Sequence, residues 1–231
     1  FRTSHFSLPS MSLILPIIAA VVGFIVAFFL HKKQVGVNLL LAFSGAFLLS
    51  VTVLEFLPSI YDTDVSNVGL YILIGLLLQI ILEYLSGGAE HGHLHQDKQT
   101  KSFPWVLFLS LSIHALLEGI PLHHNHHLLV AVVIHKIPIA IIIASFLFQT
   151  RLSTFKIGLF LLAFALMTPL GSFLQQNYTV FDTYSAYLNA VVIGIFLHVS
   201  TTILFESSRD HKFNLSKFGM ILLGIAIALL I

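Results

Sequence analysis

Four ionisable residues lie in the apolar stretch from Ser112 to Ile141, and their types and spacing suit metal binding. His114 and Glu118 are four residues apart, so an α-helix would carry both on one face. His135 and Lys136 follow in the next apolar segment. Ionisable groups among leucines and isoleucines are costly unless they find partners. We therefore predict that His114, Glu118 and His135 hold a divalent cation between two apolar helices.

Imidazole and carboxylate ligands suit several divalent ions. Neutral histidine nitrogens and a glutamate oxygen bind Zn²⁺, and also Fe²⁺, Mn²⁺ or Cd²⁺, and affinity alone does not separate these ions. Three protein ligands leave the fourth tetrahedral position open, which suits a site that must release its ion. The alternative interpretation is a hydrogen-bonded polar network without a metal.

Lys136 affects how an ion could bind at this site. It lies deep in its apolar segment, so its ammonium group cannot easily reach water. An ammonium group next to a metal ion repels it, unless the ammonium takes the place of a second cation. Glu118, Glu55 and Glu83 are the carboxylates with which Lys136 could pair.

The composition indicates a protein that lies in a lipid bilayer. The chain is 57% hydrophobic and 9% charged, whereas soluble domains are about 25% charged. The mean hydropathy is +0.97. The absence of cysteine excludes disulfides and thiolate metal sites. A net charge of +1 gives no indication of a nucleic-acid partner.

Eight apolar stretches are each long enough to cross a bilayer, which takes about 20 residues in a helix. They are residues 12–30, 36–57, 67–86, 103–122, 128–148, 155–175, 184–206 and 214–231. We therefore predict an all-α membrane protein with eight transmembrane helices, numbered here as spans 1 to 8.

The basic residues predict how the spans are oriented. Nine of the 11 lysines and arginines lie in the connectors that follow spans 1, 3, 5 and 7 or in the first four residues of the next span. Because basic residues concentrate on the cytoplasmic side, we expect these connectors in the cytoplasm and both termini outside. Residues 1–11 are expected to be an N-terminal lead, and residues 12–231 a single transmembrane domain.

The connector at residues 87–102 carries His91, His93 and His95. On the cytoplasmic side these histidines could bind zinc weakly, as a sensor or a sink. An unstructured loop without such a role is the alternative.

Further polar residues mark a path along the predicted helices. Glu55, near the outer end of span 2, could line an entrance, and Glu206, at the cytoplasmic end of span 7, could be an exit ligand or simply solvated. His198 could be a ligand, a relay or a hydrogen-bonded helix contact. Gln79 and Glu83 are expected to form an interfacial pair on one helix face. The turn between spans 4 and 5 holds four histidines that could collect ions or merely form a polar turn, namely His123, His124, His126 and His127.

The motifs HxxxEG in span 4 and HKxPxA in span 5 resemble those of the ZIP (Zrt/Irt-like) metal transporters. Span 2, with LAFSGAFLLSVTVLEFLP, is similar to that family's FxxGxFLxxxxxHLLP, with Glu55 at the usual histidine. TPLG in span 6, GIFLHVSTTILFE in span 7 and the histidine-bearing connector agree with it. The resemblance covers residues 12–231.

The resemblance implies a fold, an activity and a site. It implies a 3+2+3 arrangement of the helices and an elevator-like shift of spans 1, 4, 5 and 6 against the others. His114, Glu118 and His135 would occupy the primary transport site, and a divalent metal, zinc first among them, would be carried into the cytoplasm as substrate, with no cofactor. A location in the cell (inner) membrane and a homodimer are further expectations.

This sequence departs from the family pattern at two ligand positions. Ala115 stands where the family often has asparagine, and Ile139 where it often has a carboxylate or histidine. With Lys136 at the second-metal position, these departures imply a single-ion site in which the ammonium replaces the second cation.

Two other functions use the same residues. An intramembrane hydrolase could hold zinc on His114, His135 and His198 with Glu118 as base, although the sequence lacks HExxH. Haem ligation by His135 and His198 would require both histidines to face one porphyrin. Zinc uptake by vesicles separates transport from both alternatives.

Overall fold

The computed structural model describes residues 8–30, 35–63, 66–88, 103–206 and 215–231, and within them every regular element is helical. Ten α-helices are described there: α1 Leu8–Leu30, α2 Val35–Val51, α3 Leu57–Tyr61, α4 Val68–Ser86, α5 Trp105–Gly119, α6 His126–Gln149, α7 Thr154–Asn177, α8 Thr179–Thr183, α9 Ser185–Glu206 and α10 Leu215–Ala228. The predicted all-α class is confirmed.

Seven of the predicted spans correspond to helices that are long and apolar enough to cross a membrane. They are Ser10–Phe29, Val37–Tyr61, Val68–Ser86, Trp105–His123, His126–Gln149, Thr154–Asn177 and Ser185–Phe205. The eighth span corresponds to α10, which is apolar but only 14 residues long. The count of eight spans, the 3+2+3 arrangement and the positions of the termini stay predictions. Helix α1 begins at Leu8, within the predicted lead.

Span 2 is not one continuous α-helix. A π-helical turn, Thr52–Phe56, joins α2 to α3, and the Leu57 amide donates to the carbonyl of Thr52 five residues back. Pro58 has no amide hydrogen and therefore cannot donate to the carbonyl of Leu54, which favours a local change of helical pitch. Glu55 lies on this wider turn.

The connection between spans 4 and 5 is short and well defined. Helix α5 ends at Gly119 and continues as a 3-10 turn, Ile120–His123, that contains Pro121. Asn125 then caps α6, because its side-chain oxygen accepts from the Leu128 amide at 2.8 Å. This hairpin joins α5 to α6, the two helices that carry the predicted ligands.

The long helices are grouped here into two sets, A and B, to describe their packing. In set A, α1 packs against α6 and α7, and α5 packs against α7. In set B, α2 packs against α10 and α9, and α4 packs against α9. The two sets meet where α2 contacts α6 and where α4 contacts α5. The two sets are the groups of spans that the resemblance implies, and their movement against each other stays a prediction.

Glycines allow the closest backbone contacts within set B. A Cβ atom at Gly75 on α4 would collide with the carbonyl oxygen of Val191 on α9, and one at Gly194 would collide with that of Ile72. Small residues at such points let two helices approach closely in a membrane. The pair α4 and α9 therefore forms a tightly packed unit.

Candidate metal centre

The predicted ligands share one buried cavity. Its volume is about 10 Å³, roughly the space that one water molecule needs. It is lined by Leu111, His114, Glu118, His135, Lys136, Ile139 and Phe164. Two helices of set A supply the polar side chains, α5 for His114 and Glu118 and α6 for His135 and Lys136.

His114 and Glu118 face each other along one side of α5. The Nε2 atom of His114 lies 3.5 Å from Oε2 of Glu118, beyond normal hydrogen-bond length. Two ligand atoms bound to one tetrahedral zinc ion, each about 2.1 Å from the metal, lie roughly 3.4 Å apart. The separation of this nitrogen and oxygen therefore suits a shared zinc ion.

Lys136 pairs with Glu118, one of its three predicted partners. Its Nζ atom contacts Oε1 of Glu118 and donates to Oγ1 of Thr168 at 2.7 Å. The ammonium group also lies 5.0 Å from the ring centroid of Phe164, within cation–π range. Because the Lys136 and Glu118 side chains are 2% and 3% exposed, the pair is fully removed from water.

Thr168 on α7 completes the surroundings of Glu118. Its hydroxyl oxygen lies 2.6 Å from Oε1 of Glu118 and 2.9 Å from the carbonyl oxygen of Ala115, and its single proton reaches one of them at a time. Helix α7 comes this close because a Cβ at Gly119 would collide with the Thr168 carbonyl. Sequence reasoning noted Thr168 only as part of TPLG and missed this contact.

Gln79 contacts one of the predicted ligands, which the sequence analysis did not predict. The Gln79 residue is fully buried, and its Oε1 lies 3.0 Å from Nδ1 of His114. The four-residue spacing to Glu83 indicated a shared helix face, but the sequence did not show that this face of α4 packs against α5 and α9.

His198 lies at a second polar contact rather than at the cavity. Its Nδ1 is 3.3 Å from Oε2 of Glu83, which joins α9 to α4 within set B. His198 is not among the residues that line the cavity. The hydrolase and haem alternatives both need His198 close to His135, but His198 does not line the cavity that His135 lines.

Glu55 forms a third polar contact, with His127. The Nδ1 atom of His127 lies 2.7 and 2.8 Å from the two carboxylate oxygens of Glu55. The side chains are about one-third exposed, at 37% for His127 and 32% for Glu55. This contact joins the π-helical turn that follows α2 to the first turn of α6.

Some predicted residues lie outside what the structure describes. His91, His93 and His95 are outside the described residues, and so is the side chain of Glu206, although its backbone ends α9. Within the described parts of the chain, no three His, Cys, Asp or Glu side chains already converge as an ion-binding group. His114, Glu118 and His135 share a cavity, but binding an ion between all three requires them to move.

Seven long apolar helices and a buried cavity with ionisable walls define a multi-pass integral membrane protein. Residues 85–231 match the family model described as ZIP Zinc transporter, which covers more than half of the chain. The chain belongs to this family. The resemblance found in the sequence motifs is thereby confirmed.

Relatives with curated names include transporters of zinc. Protein zntD of Dictyostelium discoideum is 27% identical over 168 residues, which are 63% of this chain and 25% of zntD. Zinc transporter ZIP1 of Takifugu rubripes is 27% identical over 153 residues, or 58% of this chain and 49% of that protein. Zinc transporter ZIP1 of Danio rerio is 26% identical over 148 residues, in a match that covers 58% of this chain and 46% of that protein. The matches thus span about half of each ZIP1 protein or less.

Proposed function

We propose that this protein carries a divalent metal ion, most readily zinc, across the membrane into the cytoplasm. The observation that carries the proposal is the common cavity of His114, Glu118 and His135, buried between two apolar helices. Intramembrane ionisable residues are costly and are retained mainly for function. The family and the names of the relatives favour zinc as the substrate.

The ion would use His114, Glu118 and His135 as ligands and compete with Lys136. With neutral histidines, Glu118 and Lys136 balance each other's charge before an ion enters. A divalent ion beside both would add two uncompensated positive charges to a buried site, at a cost of several kcal/mol. Lys136 therefore leaves Glu118 when the ion binds, and its return favours release.

The path on either side of the site uses residues at the helix ends. Glu55 would attract ions to the outer entrance, where it now contacts His127. Glu206, the last residue of α9, is the proposed exit residue on the cytoplasmic side, and His198, within α9, is a proposed ligand or relay along the path. Three further statements also stay predictions: inward transport, a location in the cell membrane and a homodimer.

Zinc uptake into proteoliposomes tests the proposal, with His135→Ala as the informative variant. The protein is reconstituted with and without a pH gradient, and radiolabelled zinc is followed, with iron, manganese and cadmium as competitors. We expect wild-type uptake and its loss in His135→Ala, since His135 is the only proposed ligand on α6.

The matched control is His126→Ala, which removes an exposed histidine from the same helix and should keep uptake. Near-normal uptake by correctly inserted His135→Ala protein would rule out the proposed ligand set.

A further inference from the structure

The side chain of Gln79 determines which nitrogen of His114 can face an ion. Its Oε1 lies 3.0 Å from Nδ1 of His114. An amide oxygen only accepts hydrogen bonds, so Nδ1 carries the proton. In the neutral ring, Nε2 then keeps its lone pair, and this is the nitrogen that lies 3.5 Å from Glu118.

We propose that Gln79 is a positioning residue for the transported ion and acts through His114. A histidine ligand that donates its other N–H group to an oxygen is held in one tautomer and one ring orientation, and its ligating nitrogen becomes more basic. The proposal rests on the proposed function, because it takes His114 as an ion ligand.

Gln79 can hold His114 in place only while α4 and α5 keep their present arrangement. Gln79 belongs to α4 in set B, whereas His114 belongs to α5 in set A. Helix α4 is packed tightly on α9 through Gly75 and Gly194, so Gln79 stays with set B if the sets shift. A shift of α5 along α4 would break the hydrogen bond to His114. The ion would then be held less tightly, which makes Gln79 a sensor of the helix arrangement as well as a support.

Three variants separate this role from a general packing role. Gln79→Leu keeps similar bulk but removes the acceptor oxygen, and Gln79→Glu keeps an acceptor at the same reach. Gln175→Leu is the matched control, because Gln175 is also buried and its Oε1 has no hydrogen-bond partner among the described residues.

Zinc uptake by proteoliposomes gives the first readout. We expect Gln79→Leu to raise the KM for zinc about 10- to 100-fold, the usual effect of losing the partner of a ligating histidine, with the maximal rate changed much less. Gln79→Glu should stay within several-fold of the wild-type KM, and Gln175→Leu should equal wild type. A uniform loss of maximal rate in Gln79→Leu with an unchanged KM would contradict the positioning role.

Nitrogen NMR of histidine-labelled protein gives a second readout that needs no transport. The His114 signal is assigned by its loss in His114→Ala, and its shifts report which ring nitrogen bears the proton. We expect the Nδ1–H tautomer in zinc-free wild type and a shift toward Nε2–H in Gln79→Leu. A wild-type His114 protonated at Nε2 alone would overturn the proposal, even if Gln79→Leu fails to fold.

The two proposals fail in different ways. Intact zinc uptake in His114→Ala would refute the ion site itself, and with it any positioning role for Gln79. Loss of uptake in His114→Ala, with an unchanged KM and tautomer in Gln79→Leu, would leave the ion site standing and overturn only the role of Gln79.

Discussion

Replacing Lys136 with methionine tests whether its ammonium group takes the place of an ion beside Glu118. Methionine keeps the length and flexibility of the side chain but removes the charge. In the variant, Glu118 keeps the Thr168 hydroxyl and His114 as neighbours but loses its cation. The zinc-free variant therefore holds a buried carboxylate without a countercharge, and a metal ion would supply one.

The expected loss of stability follows from the burial of the Lys136–Glu118 pair. Breaking a fully buried ion pair by removing one partner costs about 3–5 kcal/mol of stability, and the exposure of 2% and 3% places Lys136 and Glu118 in this class. At about 2–4 °C per kcal/mol for a chain of this size, the melting temperature of the zinc-free variant should fall by roughly 6–20 °C. Zinc no longer has to displace an ammonium group, and a gain of only about 1.4 kcal/mol makes binding tenfold tighter. We expect at least that gain, together with slower release and slower uptake.

Thermal unfolding and zinc calorimetry of the purified protein measure both effects. Melting is followed in a chelator and in excess zinc, and zinc should stabilise Lys136→Met more than wild type. The control is the double variant Lys136→Met with Glu118→Gln, which leaves no unpaired charge and should recover most of the stability while binding zinc poorly. If Lys136→Met melts like wild type in chelator and binds zinc with wild-type affinity, the exchange between ammonium and ion is refuted.

Two further predictions concern the connector after span 3 and the proposed entrance at Glu55. Deleting residues 91–95 should leave zinc uptake within a few-fold of wild type, because the connector lies outside the proposed membrane path; complete loss with normal expression would contradict this. Glu55→Gln should raise the KM for zinc a few-fold, with the effect shrinking at higher ionic strength, because an exposed carboxylate attracts cations through a field that salt screens. His127→Ala frees that carboxylate and should lower the KM or leave it unchanged, so an increase as large as that of Glu55→Gln would count against an entrance at Glu55.

The spans could be predicted from sequence because long apolar runs have few stable alternatives in lipid, where only helices satisfy the backbone locally. The π-helical turn at Thr52–Phe56 could not be predicted from the sequence. Pro58 signals a missing hydrogen bond, but the same signal is compatible with a kink, a break or a wider turn. Packing of the whole bundle selects among these, and a single sequence does not encode that packing in a readable pattern.

Only the part of the candidate site that depends on spacing within one helix could be predicted from the sequence. The spacing of His114 and Glu118 depends only on helix geometry, so their common face could be predicted. Gln79 and Thr168 reach the same residues from helices that are 35 and 50 positions away along the chain. A polar residue in an apolar helix indicates that it needs a partner, but only the helix packing says which partner it finds.

Among the described residues, the close approaches at glycine lie within each helix set, while apolar packing joins the two sets. Among the described residues, each glycine at which an added Cβ would collide with a neighbouring helix meets a helix of its own set: Gly23, Gly119 and Gly171 in set A, and Gly45, Gly75, Gly194 and Gly224 in set B. Between the sets, α2 packs against α6 and α4 packs against α5. Two side-chain contacts also cross between them, from Gln79 to His114 and from Glu55 to His127. A neutral hydrogen bond contributes about 0.5–1.5 kcal/mol and one to a charged group about 1.5–3 kcal/mol, whereas helices in close backbone contact can slide only if side chains and backbone move together. Because His114, Glu118 and His135 all belong to set A, an ion bound to them would move with that set in the predicted elevator-like shift. The contacts of Gln79 with His114 and of Glu55 with His127, and the packing of α2 on α6, would then have to break and form again.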